Sequence, residues 1–196
     1  MMKDIANQFR IARAEEGPVL AELIQAASEG LALYTWTKDA APGEDPWARG
    51  AERQGKAAAD GKWIVAVDGD TAVAGLRGER LPDEPEPIPD DFEPLFRPLQ
   101  ELENEAPGTW YVHVLATVEA RRGAGWGTKL LGLAEEIALG MGCKELSIIV
   151  ANNNTGARRL YERFGFSETA RRPMVKGAWQ SEGTEWVLML KRISDS

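Results

Sequence analysis

Val114-Leu115-Ala116-Thr117-Val118-Glu119-Ala120-Arg121-Arg122-Gly123-Ala124-Gly125-Trp126-Gly127-Thr128-Lys129-Leu130-Leu131 joins a β-prone run to a helical one through a loop in which three of five residues are glycine. The strand reading begins upstream at Trp110, and a helix is expected from about Thr128. Glycines let backbone N–H groups converge on an anion without Cβ obstruction. A helix start adds unpaired N–H donors and the positive end of the dipole. A pyrophosphate is the natural guest of such a loop, with a ligand-free strand-to-helix turn as the plain alternative. The pattern is not a P-loop, because Gly127 is followed by Thr128-Lys129 and the first glycine is misplaced. It is not a dinucleotide fingerprint either, because the third glycine comes one position early.

Downstream, Leu130, Leu133, Ala134, Ile137 and Met141 share a helical face that Gly140 or Gly142 closes. Leu146–Val150 is β-rich, and Asn152-Asn153-Asn154 is a turn and N-cap cluster. A helix is expected from Thr155 to Phe164, stopping at Gly165. The tail holds a clear strand at Trp186–Leu190 and a weaker one around Met174–Trp179. Upstream, Phe9–Arg13 alternates as a strand does, and Val19, Leu20, Leu23, Ile24 and Ala27 recur at helical spacing. Residues 31–46 are less regular. A helix is plausible over 47–59, and Trp63–Val67, Asp68-Gly69-Asp70 and Thr71–Gly78 form a hairpin. No internal repeat is visible. The order βα(α)ββ, interruption, βαβα, ββ predicts an α/β (α+β) fold: a mixed, mostly antiparallel sheet of about seven strands with helices on both faces. The chain reads as one domain over 1–196, with an excursion at 81–107.

That excursion carries most of the chain's character. Of 196 residues, 23 are Lys or Arg and 31 Asp or Glu, for a net charge of −8. Residues 81–106 alone hold nine acids and one base, Arg97, while residues 107–196 are net basic by three charges. Seven of the eleven prolines lie in 81–107, so Pro82–Pro89 is expected to be extended. Phe92, Leu95, Phe96, Leu99 and Leu102 recur at helix-like intervals, which favours a docked excursion over a plain linker. The acidic balance argues against nucleic acid and against an anionic membrane surface as partners. One Cys and one His make a disulfide or a metal cluster an unpromising reading. Met1-Met2-Lys3-Asp4 lacks a leader's apolar core and no apolar run approaches a membrane span, so a cytoplasmic location is expected.

The loop resembles the acetyl-CoA-binding signature of the GNAT N-acetyltransferase superfamily, (Arg/Gln)-x-x-Gly-x-(Gly/Ala). Asn154-x-x-Ala157-x-x-Leu160-Tyr161-Glu162-Arg163-Phe164-Gly165-Phe166 resembles the same superfamily's second signature, at the expected distance. The two cover about 110–166; nothing in 81–107 matches. The resemblance implies a GNAT-like sheet splayed in the middle and acetyl-CoA as co-substrate. It implies that backbone groups of Leu115 and Thr117 pair with pantetheine. The N–H groups of Arg122, Gly123, Ala124, Gly125, Trp126, Gly127 and Thr128 would hold the pyrophosphate, and Asn154 would bond the pantetheine arm. Arg121, Lys129, Arg158 and Arg159 are candidates for the 3′-phosphate, each with a solvated helix face as the alternative.

Acyl transfer from a thioester to an amine needs a base for the amine, a donor for the oxyanion and a proton for the leaving thiolate. The resemblance puts Tyr161 near the sulfur as acid; the alternative is an aromatic anchor. His113, two residues from Tyr111 and on its face, is the candidate base, with water and the weaker Glu119 beside it. Leu115 and Thr117 share that parity, so a twist or bulge is expected there, and a satisfied core histidine is the alternative. Cys143 reads as buried packing. Trp36 and Trp47 lie where the superfamily borders its acceptor cleft; Trp63, Trp110, Trp179 and Trp186 read as core. The expectation is an N-acetyltransferase acting on a small-molecule or peptide amine by direct attack through a tetrahedral intermediate, with a cationic acceptor and a homodimer as subsidiary expectations. The alternative is a non-catalytic acyl-CoA-binding sensor module. No metal is expected.

Overall fold

The computed structural model describes residues 8–193; Met1-Met2-Lys3-Asp4, on which the expectation of no leader rests, lie outside them. The elements are β1 (Phe9–Ile11), α1 (Gly17–Ala27), α2 (Leu31–Asp39), α3 (Pro46–Ala59), β2 (Ile64–Asp68), β3 (Thr71–Arg80), α4 (Arg97–Glu103), β4 (Trp110–Thr117), α5 (Trp126–Gly140), β5 (Glu145–Ala151), α6 (Thr155–Phe164), β6 (Ser167–Pro173) and β7 (Glu185–Arg192). The strands form one seven-stranded, mostly antiparallel sheet in the order β1-β2-β3-β4-β5-β7-β6. This is the expected mixed α/β class. No helix among the described residues is long and apolar enough to cross a membrane.

Three expectations need correction. Residues 31–46 contain a regular helix, α2, unread because Tyr34, Thr35, Trp36 and Thr37 are weak helix formers and burial of Leu31, Ala32 and Trp36 supplies what propensity lacks. α5 begins at Trp126 rather than Thr128. The weak strand around Met174–Trp179 is absent. Trp179 N–H bonds the Lys176 carbonyl in a turn and Lys176 Nζ bonds the Ser181 carbonyl. The strand is Ser167–Pro173, which no apolar alternation marks because it is exposed or half-buried throughout.

The chain packs as two units, residues 8–77 with Val114–Leu130, and Gly78–His113 with residues 131–193. In the first, β1, β2 and β3 form an antiparallel meander with Phe9 opposite Ala66 and Ile64 opposite Leu76. Its core joins Leu20 and Leu23 of α1 to Trp63, Val65 and Val114. The Trp63 indole N–H donates to buried Gln54 at 3.1 Å, which satisfies both polar groups. The N-terminus of α1 lies so close to α3 that a Cβ on Gly17 would stand 2.2 Å from the Ala51 carbonyl oxygen.

In the second unit, β4 pairs in parallel with β5 over Trp110–Val112 against Leu146–Ile148. β5 pairs antiparallel with β7 along its whole length, Glu145 opposite Arg192 through Ala151 opposite Trp186. The acidic excursion is docked in this unit. Its neck is closed by Leu81 N–H to the Thr109 carbonyl and Gly108 N–H to the Pro82 carbonyl, at 2.9 and 2.8 Å. Leu95 and Leu102 are buried, and Arg172 of β6 holds Glu101 at 3.1 Å and also Glu105.

Gly17→Ala should cost about 2 kcal/mol, because the obstructing atom is backbone and cannot rotate away, and lower Tm by roughly 6 °C. Gly132→Ala, in α5 with open space around its Cβ position, should instead stabilise by up to about 1 kcal/mol. Thermal melts of both variants check the contrast.

Candidate functional site

The glycine loop lies in the first unit. Val118 N–H bonds the Val73 carbonyl at 2.9 Å, anchoring the end of β4. A single 3-10 turn, Glu119–Arg121, leads into Arg122. Gly123 and Gly125 have φ of 78° and 80°, a region that costs other residues about 1 kcal/mol or more. A Cβ at either would meet nothing within 4 Å, so conformation and not room demands glycine there. The first intrahelical bond beyond the loop is Lys129 N–H to the Gly125 carbonyl at 3.1 Å. The N–H groups of Trp126, Gly127 and Thr128 precede it and belong to the turn that a helix leaves unsatisfied. Gly123, Ala124, Gly125 and Thr128 are exposed, while Trp126 and Gly127 are half-buried. The Arg122 N–H is turned inward onto the Glu119 carbonyl at 3.2 Å. An open run of N–H groups at a helix start, with no side chain over it at Gly123 and Gly125, suits a pyrophosphate.

The basic candidates separate on inspection. Arg121 pairs with Asp68 at 2.7 Å. Lys129 lies 4.4 Å from the Trp126 ring centroid, a cation–π contact beside the loop, and bonds Gln8 at 3.0 Å. Arg158 is held by Glu168 at 2.9 Å, and Arg159 is exposed. Leu115 and Thr117 are half-buried on β4.

The titratable residues lie in the second unit. Asn154 caps α6, its Oδ1 accepting the Ala157 N–H at 3.2 Å. α6 ends at Gly165, where Phe166 N–H returns to the Tyr161 carbonyl at 3.0 Å. Tyr161 is 5% exposed and packs on Phe166, with ring centroids 5.9 Å apart. Burial pushes its phenol well above the ordinary value, so the hydroxyl keeps its proton. Tyr111 is 6% exposed and stacks on His113 at 5.7 Å and 20°. His113 is exposed, so the core-histidine alternative fails. Among the described residues, no hydrogen bond engages the phenol oxygen of Tyr111 or Tyr161. Burial first, then the charges of Glu103 and Glu79 and the nearby Tyr161, raise the Tyr111 phenol.

Glu103 was not legible as a site residue. It is half-buried on α4, and burial, with Glu79 and Glu86 nearby, pushes its carboxyl up to about 7. Its signal was the apolar spacing of Leu95, Leu99 and Leu102, which docks the helix and decides which carboxylates lose water. Trp36 also differs from expectation: it is 3% exposed, edge-to-face with exposed Trp47 at 5.9 Å, and its ring fills the space beside Gly50. Cys143 is buried. Among the described residues, no set of three or more His, Cys, Asp or Glu is placed to hold a metal.

Comparison with known proteins places these features in context. The model of the acetyltransferase (GNAT) family matches residues 30–166. Acetyltransferase Atu2258 of Agrobacterium fabrum is 43% identical over 63 residues, 32% of this chain and 44% of that protein. The matches span less than half the length of the curated relatives. The crystal structure of PH1933 from Pyrococcus horikoshii has a TM-score of 0.63 at 19% identity, covering 96% of this chain and 99% of that one. Ribosomal-protein-alanine N-acetyltransferase from Brucella melitensis has a TM-score of 0.58 at 21% identity, covering 94% and 99%. At these identities the structural likeness is one of fold.

The raised carboxyl of Glu103 has a measurable consequence. Its proton leaves near pH 4.5 in the unfolded chain and near 7 in the folded one. Between those values the folded state holds the extra proton, so this group lowers stability as pH rises. Glu103→Gln removes the effect. The variant should match wild type at pH 4 and exceed it at pH 8 by up to about 3 kcal/mol, as read by denaturant unfolding at the two pH values.

Proposed function

The chain belongs to the acetyltransferase (GNAT) family, and from that premise we propose that it transfers an acetyl group from acetyl-CoA to a primary amine by direct attack. The observation that carries the reading is the loop: two left-handed glycines just ahead of α5, whose first-turn N–H groups have no intrahelical partner. Those groups are assigned the pyrophosphate, with Lys129 beside them as a counter-charge. Backbone groups of Leu115 and Thr117 are assigned the pantetheine. Asn154, whose Oδ1 holds the cap of α6, is assigned to the same arm.

The chemistry follows from what the side chains can do. The amine must be neutral to attack, so its proton passes to His113, exposed and stacked on Tyr111, or to water. The nitrogen lone pair forms a bond to the thioester carbonyl carbon, and the tetrahedral adduct collapses with cleavage of the C–S bond. The thiolate takes the Tyr161 proton, which burial keeps on the phenol until a strong base arrives. Tyr161 is restored by the second nitrogen proton. No covalent enzyme intermediate is required, and buried Cys143 has no part.

Calorimetric titration with acetyl-CoA and a thiol-release assay over an amine panel test the two halves. Gly125→Val should weaken acetyl-CoA binding by at least about tenfold, since a β-branched residue cannot hold that φ; unchanged binding contradicts the loop assignment. Tyr161→Phe should keep acetyl-CoA affinity and lower kcat by about 100-fold. Tight binding without turnover of any amine, with Tyr161→Phe indistinguishable from wild type, would support the sensor module instead.

A further inference from the structure

The cations around the glycine loop are not equivalent. Arg121 is neutralised by Asp68 at 2.7 Å. Lys129 is exposed and forms no ion pair among the described residues. Two neutral groups hold it instead. Its Nζ lies 4.4 Å from the Trp126 ring centroid and donates to Gln8 Oε1 at 3.0 Å. Gln8 is itself anchored, because its carbonyl accepts the Val67 N–H at 2.8 Å. All of these groups belong to the first unit. An aromatic face and an amide oxygen orient a cation without cancelling its charge. The residue just ahead of β1 thus positions a lysine beside the loop and leaves it charged.

The direction of that side chain decides what it can serve. Trp126 and Lys129 are i and i+3 neighbours on α5, and helical side chains lean toward the N-terminus. The contact with Trp126, the first residue of α5, keeps the ammonium at the loop end of the helix. It lies over a side-chain ring, so it sits on the flank of the helix and not on its axis. The Lys129 N–H is already committed to the Gly125 carbonyl at 3.1 Å. The axial donors are therefore those of Trp126, Gly127 and Thr128. Axial backbone donors and a lateral point charge stand side by side. Acetyl-CoA carries two kinds of phosphate, a pyrophosphate and a separate phosphate on the 3′-oxygen of its ribose. Converging backbone donors suit the first, and a single ammonium suits the second.

We propose that Lys129, positioned by Gln8 and Trp126, reads the 3′-phosphate and makes the protein select CoA over its 3′-dephospho form. The assignment rests on the acetyltransferase reading and deepens its cofactor site. Gln8 is a positioning residue here: it touches Lys129 and acts through it. A lysine restrained in advance loses less rotamer freedom when it meets the phosphate. A carboxylate at position 8 would do the reverse, pairing with the ammonium and repelling the phosphate.

The test is calorimetric titration of the full chain with CoA and with 3′-dephospho-CoA at low ionic strength. Wild type should bind CoA at least about tenfold more tightly. Lys129→Met should bring the two ligands within about twofold by weakening CoA alone. Gln8→Glu should do the same with the lysine intact, and Gln8→Ala should reduce the preference by about threefold. Lys62→Met, which removes an exposed lysine elsewhere in the first unit, should keep it. Circular dichroism confirms that the variants are folded. Equal losses on both ligands in Lys129→Met, or an unchanged preference in Gln8→Glu, overturns the proposal. Wild type that binds both ligands equally sinks the Lys129 assignment and leaves the loop. Wild type that binds neither sinks the acetyltransferase reading itself, and this assignment with it.

Discussion

Parallel pairing of Trp110–Val112 with Leu146–Ile148 is the constraint from which the rest follows. Two parallel strands cannot be joined by a tight turn; the chain must travel back before it can pair again. Here the return is the glycine loop and α5, so a helix N-terminus necessarily opens just beyond the carboxyl end of a strand. That is where α/β proteins place anionic ligands, because the exposed N–H groups have no intrahelical partner. A buried hydroxyl pair holds the arrangement in register: Thr109 and Ser147 meet at 2.7 Å, both almost fully buried. A one-residue slip would separate these hydroxyls and turn each strand's core face outward.

Electrostatics divides the molecule along the chain. The excess negative charge is concentrated in the excursion, while the region that includes the loop and α6 is mildly basic. Docking refines that division. Arg172 neutralises two glutamates of the excursion and Arg80 one aspartate, which leaves a smaller set without counter-charges beside α4. A net charge of −8 therefore gives a poor account of what either region attracts. The anion-binding loop depends on backbone dipoles that no charge count includes.

The local signals were strong where a single residue type satisfies a backbone need. Asn154 caps α6 and Gly165 ends it, and Gly123 and Gly125 take the left-handed conformations of the loop. These needs are met within a few residues, so they are written in adjacent letters. α2 was invisible because its stability comes from Trp36 packing into the space left by Gly50, a partner far along the chain. Ser167–Pro173 was invisible because an edge strand that buries little has no alternation to display. Arg122 was read as a backbone donor to the ligand, but the 3-10 turn before it uses its N–H.

By itself, then, the sequence determined the β2–β3 hairpin, the strand–loop–helix unit, the cap and stop of α6, and the acidic character of 81–107. All of these depend on short-range sterics, hydrogen bonding or composition. Tertiary structure decided the rest: that Trp36 is core, that the excursion is docked, and that His113 is exposed against a buried Tyr111. It also decided which glutamates keep a counter-ion and which one loses enough water to titrate near 7. The reason is physical. A carboxylate's partner and its desolvation are set by residues tens of positions away, and identical Glu letters at 101, 103 and 105 acquire different chemistry only when α4 meets β6.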